Sequence, residues 1–480
     1  MSRPTLNFAV AAALVLLLAG CATPGPGVSL EEPQELPVTH PPIPVAPDWW
    51  TAYNDPALST LVDEALRYNT DLARAMARID EARAVVGLAR SANGPVVSAG
   101  VTGNRQRFTE NGRIPLGDFS PYANLFQATL DVSYEIDLWG RFASATEAAR
   151  SELLASEYAR DTIRIALAAQ VVQSYAALRA LDEQIVVYQR AVSAQREGLR
   201  LNRARFEAGD MSELDWRQLE AELLANETQL PRLARARGET ERSLALMLGR
   251  SPRAVLESGV ARATTEVAPL VAGGVPSGLP SDLLQRRPDV RRAEAALLAA
   301  GARVDVARAA YLPSITLTAS AGRQSAELSD LLNGPSTIFS LVASLTQPIW
   351  NAGALDSQRD VAIARARQAE LDYRDAVAAS FKELRDALSA HEEAQATLRF
   401  TEQRERSLTR ASELTGVRFE GGVSSRLDAI EAERAALTAR AQLADARRAL
   451  ASAQADVFRA LGGGFTEGTS VARATPRPGS

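Results

Sequence analysis

Between residues 96 and 138 two stretches of the chain alternate between apolar and polar, on either side of a polar loop from Phe108 to Pro121. Phe126, Ala128, Leu130, Val132, Tyr134, Ile136 and Leu138 are separated by Gln127, Thr129, Asp131, Ser133, Glu135 and Asp137. Upstream, Val97, Ala99 and Val101 alternate in the same way with Ser98, Gly100 and Thr102. A period of two marks a strand with one apolar and one polar face. After Gly140 the period changes: Val171, Leu178, Ile185, Val192, Leu199 and Phe206 recur every seven residues, as in helices that pack in coiled-coil fashion. This predicts one helix to about Glu207, roughly 65 residues and roughly 100 Å long. Before the strands, Leu58, Leu61, Val62, Ala65 and Leu66 predict helix from about Asp55 to Ser91.

The long helix ends in a motif that occurs twice. Arg205-Phe206-Glu207-Ala208-Gly209 leads through Ser212 and Leu214 to Asp215, and Arg418-Phe419-Glu420-Gly421-Gly422 leads through Ser425 and Leu427 to Asp428. Gly209 and Gly422 suit the left-handed conformation that ends a helix. Ser212 and Ser425 each precede an aspartate by three residues, a capping-box spacing for a new helix. Each motif therefore predicts a helical hairpin with a tight tip, its second arm running from about Ser212 to Leu248 or ending near Leu461.

The doubling reaches the strands. Pro288-Asp289-Val290 stands where Thr70-Asp71-Leu72 stood, and Pro313 follows Asp289 by 24 residues, as Pro95 follows Asp71. Ile315, Leu317, Ala319 and Ala321 alternate with polar residues, as do Phe339, Leu341, Ala343 and Leu345, across a loop holding Asn333-Gly334-Pro335. Pro348-Ile349-Trp350 echoes Asp137-Leu138-Trp139. The expected organisation is a signal peptide over 1–20, a tether over 21–48, a first repeat over 49–250 with strands at about 96–107 and 124–138, and a connector over 251–280. A second repeat follows over 281–462, with strands at about 314–322 and 338–347, then a disordered tail over 463–480.

Four strands of about ten residues match transmembrane β length. Four strands do not close a barrel, and open edges are not tolerated in hydrocarbon, so closure demands several chains around one axis. The competing reading is a small soluble sheet packed on helices. Apolar seams with charges on more than one remaining face suit helices that pack sideways around a wet lumen. A solid coiled coil with one dry seam is the alternative.

The N-terminus adds an address. Arg3 precedes an apolar run from Phe8 to Leu18, too short to span a bilayer comfortably as a helix. It ends Leu18-Ala19-Gly20-Cys21, which looks like a bacterial lipobox, and Cys21 is the chain's 1 cysteine. This predicts lipidation at Cys21; an ordinary signal peptide with a chance cysteine is the bland reading. Ala22 in place of an aspartate favours, by resemblance to bacterial lipoproteins, sorting to the outer membrane. Eight prolines between Pro24 and Pro47 make the following tether extended.

Composition removes other classes. The net charge of -5, with both signs mixed along the chain, argues against nucleic acid as a partner. The 2 histidines, His40 and His391, lie far apart, and no phosphate-binding loop is present. No enzyme, cofactor or metal site is expected.

With Asp137-Leu138-Trp139-Gly140-Arg141, Arg286-Arg287-Pro288-Asp289-Val290, Tyr311-Leu312-Pro313-Ser314, both tips and the lipobox, the chain resembles the TolC-type outer membrane efflux channels, in their lipoprotein (NodT/OprM-like) branch. The resemblance implies an α+β membrane protein that closes as a homotrimer. Twelve strands would form the barrel in the outer membrane, and the helices a periplasmic α-barrel. It also implies passive conduction within a tripartite, RND-type efflux system, docked on a periplasmic adaptor and an inner membrane pump. The runner-up is a lipid-anchored periplasmic scaffold with no pore. Asp428 and Glu431 are three apart on a helix and so share a face. They map onto the family's acidic constriction at the periplasmic mouth, where clustered carboxylates repel one another, attract cations and raise some carboxyl pKa values. Asp428 has a capping role available with Ser425 as well. The first copy carries Gln218 where the second carries Glu431. Gly209, Ser212, Asp215, Gly422 and Ser425 are the expected tip surface for the adaptor; simple helix termination is the plainer role for the two glycines.

Overall fold

The computed structural model describes residues 45–109, 120–257, 259–262 and 286–464. The expected signal peptide, Cys21 and nearly all of the tether lie outside the described residues, as do most of the connector and the tail.

A 3-10 turn at Trp49–Tyr53 leads into α1 (Pro56–Tyr68) and α2 (Thr70–Ser91), then β1 (Val96–Arg107) and β2 (Tyr122–Ile136). There follow α3 (Arg141–Glu207), α4 (Glu213–Glu227), α5 (Gln229–Met247) and the short α6 (Pro252–Glu257). The second half runs α7 (Pro288–Ala309), β3 (Ser314–Ser325), β4 (Thr337–Thr346), α8 (Ala354–Glu420) and α9 (Arg426–Ala460). Helices α3 and α8 have the same length, 67 residues.

Two stretches expected as single helices are divided. Asn69, in extended conformation, ends α1, and its side-chain oxygen accepts from the Asp71 and Leu72 amides to start α2. The arm after the first tip breaks at Thr228. Pro231 has no amide to bond the Glu227 carbonyl, and its ring crowds that carbonyl. Helix α9 has Ala444 at the matching place and runs unbroken for 35 residues. The second strand also shifts against its expected span of 124–138, stopping at Ile136. Asp137 leaves the strand to accept from the Phe142 and Ala143 amides at the start of α3.

One compact unit comprises, among described residues, 84–109, 120–152 and 296–372. Its strands form a 4-stranded antiparallel sheet in the order β1-β2-β3-β4. Residues directly opposite one another share a face. Val97, Ala99 and Val101 face Val132, Leu130 and Ala128; the last three face Ala319, Ala321 and Arg323 across the next pair. Leu341 and Phe339 complete the apolar rows. The other face carries Ser98, Asp131, Ser320 and Ser340 in one row. Gly322 lies on this polar face, where an added Cβ would sit 2.1 Å from the Ala128 carbonyl oxygen. Among the described residues the edges at β1 and β4 have no partner strand.

The second unit comprises, among described residues, 45–83, 153–257, 259–262, 286–295 and 373–464. Its core gathers Trp49, Trp50, Tyr53, Leu58 and Leu61 against Val171, Tyr175 and Leu178 of α3 and against Leu244, Leu248 and Phe458. Trp49 stacks on Phe458 at 4.9 Å, and the Tyr53 hydroxyl donates to the Ala451 carbonyl at 2.8 Å. The heptad seam of α3 is buried from Val171 to Val192, then only half-buried at Leu199 and Phe206. Among the described residues no helix is long and apolar enough to cross a membrane.

Candidate functional site

Both tips are built by the same backbone. The Gly209 amide donates to Phe206 and the Asp210 amide to Arg205; the Gly422 amide donates to Phe419 and the Val423 amide to Arg418. This doubled bonding closes a helix end only if the glycine is left-handed, and φ is 80° at Gly209 and 72° at Gly422.

The side chains then diverge. At the second tip the capping box is complete: the Asp428 amide donates to the Ser425 hydroxyl at 3.1 Å and the Ser425 amide to the Asp428 carboxylate at 2.9 Å. At the first tip the Asp215 amide donates to Ser212, but the Ser212 hydroxyl, not its amide, donates to the Asp215 carboxylate. Phe206 stacks on Trp216 at 5.3 Å, whereas Phe419 lies under the Arg426 guanidinium at 4.2 Å. Burial pushes the Arg426 guanidinium down from its ordinary value, with Asp215 opposing and Arg205 reinforcing.

Asp428 and Glu431 are both exposed on the first turns of α9. The bond from the Ser425 amide, aided by the Ser425 and Ser424 hydroxyls, holds the Asp428 carboxyl below its ordinary range. This is opposite to the rise that crowded carboxylates would impose, because within a single chain the capping donors dominate. Glu431 has no hydrogen-bond or ion-pair partner among the described residues.

Two further features escaped the reading of the sequence. The first concerns Arg287, whose side chain is buried and pairs with Asp289 at 2.6 Å and Glu383 at 2.7 Å while reaching the Ala460 carbonyl. Burial pushes the Asp289 carboxyl up, but bonds from Arg287 and from the first amides of α7 outweigh it and hold it below its ordinary range. In the first copy Asn69 does the matching work, donating to the Met247 carbonyl at 2.8 Å. The Arg-Pro-Asp motif was the available signal for this clamp.

The second is at the joints where strands become helices. Trp139 donates through its indole to the Pro313 carbonyl at 2.7 Å, tying the end of β2 to the start of β3. Trp350 follows β4 in the second copy and has no such contact among the described residues: it is 84% exposed, with Ile349 89% exposed beside it.

Comparison with known proteins agrees with this geometry. A family model described as outer membrane efflux protein matches residues 61–250 and 279–463. Outer membrane protein OprJ of Pseudomonas aeruginosa is 33% identical over 429 residues, 88% of either chain. The pyoverdine export outer membrane protein OpmQ of Pseudomonas putida is 31% identical, covering 94% of this chain and 96% of its own. Among solved structures, the CmeC outer membrane channel of Campylobacter jejuni matches with a TM-score of 0.87 at 25% identity, over 92% of this chain and 96% of that one. The open-state MtrE outer membrane channel of Neisseria gonorrhoeae matches with a TM-score of 0.76 at 28% identity, over 92% and 98%.

Proposed function

The chain belongs to the outer membrane efflux protein family, and we propose that it is the trimeric exit duct of a tripartite, RND-type efflux system. It is a passive channel of the outer membrane and not an enzyme. In this reading a periplasmic adaptor and an inner membrane pump deliver substrate to the helical tips and supply the energy. Cys21, once lipidated, anchors the chain in the outer membrane.

The contrast between Trp139 and Trp350 carries the trimeric reading. Within the chain, β2 meets β3 through a bond from Trp139 to the Pro313 carbonyl. The repeat places Pro95, at the start of β1, where Pro313 precedes β3. Repetition of the contact between chains sets Trp350 on the neighbouring copy's Pro95 and β4 beside β1. Three such seams leave no open edge, which hydrocarbon requires. The apolar face, spanning Phe126 to Ile136 on β2, is then about 25 Å tall for strands tilted at roughly 40°.

At the tips, three copies of Asp428 and Glu431 form an acidic ring. Glu431 supplies its uncommitted charge, since Asp428 already holds the Ser425 amide. Such a ring attracts cations and repels anions at a constriction.

Purified protein is expected to conduct in planar bilayers, and a water-soluble monomer without conductance would sink the duct. Neutralising the ring with Asp428→Asn and Glu431→Gln is expected to make the closed channel leakier to large solutes, Glu431→Gln having the larger share. Unchanged permeability in assembled mutant trimers refutes the gate.

A further inference from the structure

The polar face of the sheet carries little charge, and what it carries has one sign. Among the described strand residues on that face, the charged ones are Asp131 and Glu135, both on β2. The described arginines of the strands, Arg105, Arg107 and Arg323, fall on the opposite rows with Val101 and Ala128.

The two acids differ in what they hold. Arg141, at the start of α3, pairs with Glu135 at 2.7 Å and cancels its charge. Asp131 accepts from the Thr129 hydroxyl at 3.0 Å and has no cationic partner among the described residues. Thr129 lies two residues away on the same strand, so the two side chains share a face, and their bond holds the carboxylate there. Asp131 stands opposite Ser98 on one side and Ser320 on the other, and Ser320 stands opposite Ser340. A row across all four strands therefore holds one carboxylate and three hydroxyls, and the carboxylate is the longest side chain in it.

We propose that Asp131 sets charge selectivity within the barrel, as a ring of three carboxylates that draws cations and turns back anions. The inference rests on the reading of the sheet as one third of a trimeric barrel with its polar face to the lumen. This role is separate from that of Asp428 and Glu431 at the tips. Twelve strands about 4.8 Å apart and tilted by roughly 40° close a barrel whose backbone lies about 12 Å from the axis, with the carboxylates roughly 8 Å from it. The screening length is about 10 Å at 0.1 M salt and about 3 Å at 1 M. At the lower salt the field of the ring reaches the axis, concentrated by the low-dielectric wall. At the higher salt it does not.

The test is the reversal potential of full-length trimers in planar bilayers under a potassium chloride gradient. Asp428→Asn and Glu431→Gln neutralise the tip ring, so that it contributes nothing; the same comparison with native tips serves if those trimers do not assemble. Around 0.1 M salt the channel should favour potassium over chloride, and Asp131→Asn should lower the permeability ratio about threefold. Around 1 M the same change should move it less than about 1.5-fold. Asp131→Glu keeps the charge and should keep the ratio. Combining Asp131→Asn with Ser340→Asp moves the charge along the row and should restore the ratio. An unchanged ratio in conducting Asp131→Asn trimers overturns the assignment. So does a fall that Ser340→Asp does not reverse, because its cause then lies outside the charged row, or a fall of equal size at both salts. Protein that never conducts overturns the barrel reading instead, which keeps the two failures apart.

Discussion

The two helical tips share a backbone and differ in what their side chains do with it. Both close on a left-handed glycine with the same pair of amide bonds. The first is held by an aromatic stack, Phe206 on Trp216, and leads into an arm broken at Thr228. The second is held by a cation over a ring and a complete capping box, and leads into an unbroken arm. Duplication conserved the turn because the turn is a backbone requirement. It left the charges free to diverge, so the acidic pair Asp428 and Glu431 stands on one tip only.

The largest change should come from exchanging the feature that breaks one arm. Ala444→Pro places a ring in the buried interior of α9 and should cost about 3 kcal/mol or more, with a new break seen as fast amide exchange just upstream. Pro231→Ala should do the reverse, joining α4 and α5 and slowing exchange around Thr228. If exchange is unchanged in both, proline is not the cause of the break.

Next come the locks on the tips. Trp216→Ala should loosen the first tip by about 1–2 kcal/mol, and Arg426→Ala the second by less than about 1 kcal/mol. Amide exchange at residues 208–215 and 421–428 reads the two separately. A larger response at the second tip would reverse the ranking.

The smallest effect is one of pH. Folding lowers the Asp428 pKa below its ordinary 3.8. Its contribution is therefore complete above that value and is lost as pH falls through the lower, folded one. Exchange at Ser425, corrected for intrinsic rates, should accelerate below about pH 3.8, and Asp428→Asn should flatten that dependence. A tip indifferent to acid would mean that the Ser425 amide does not depend on the carboxylate.

Much of this was legible beforehand. Strand parity placed Phe126 and Asp131 on opposite faces, and the tip glycines announced both turns, because these depend on neighbours a few residues away. The break at Thr228 was legible too, since Pro231 is plain in the sequence and a proline inside a helix removes one of its bonds. The differing locks were not. Ser212 and Ser425 have the same spacing to an aspartate, yet only one pair completes the box. Nor could any local pattern show that Arg287 is buried against the far end of α9 while Asn69 serves its counterpart.

The sequence by itself determined which segments are strands and which are helices, that the unit occurs twice, and where each hairpin turns. Those follow from periodicity and from glycine's freedom at positive φ, which act locally. The tertiary structure alone decided the register that sets Val132 between Val97 and Ala319, and the partner that Trp139 finds and that Trp350 lacks among the described residues. Register and burial depend on residues far apart in the chain, and only the folded backbone brings those together.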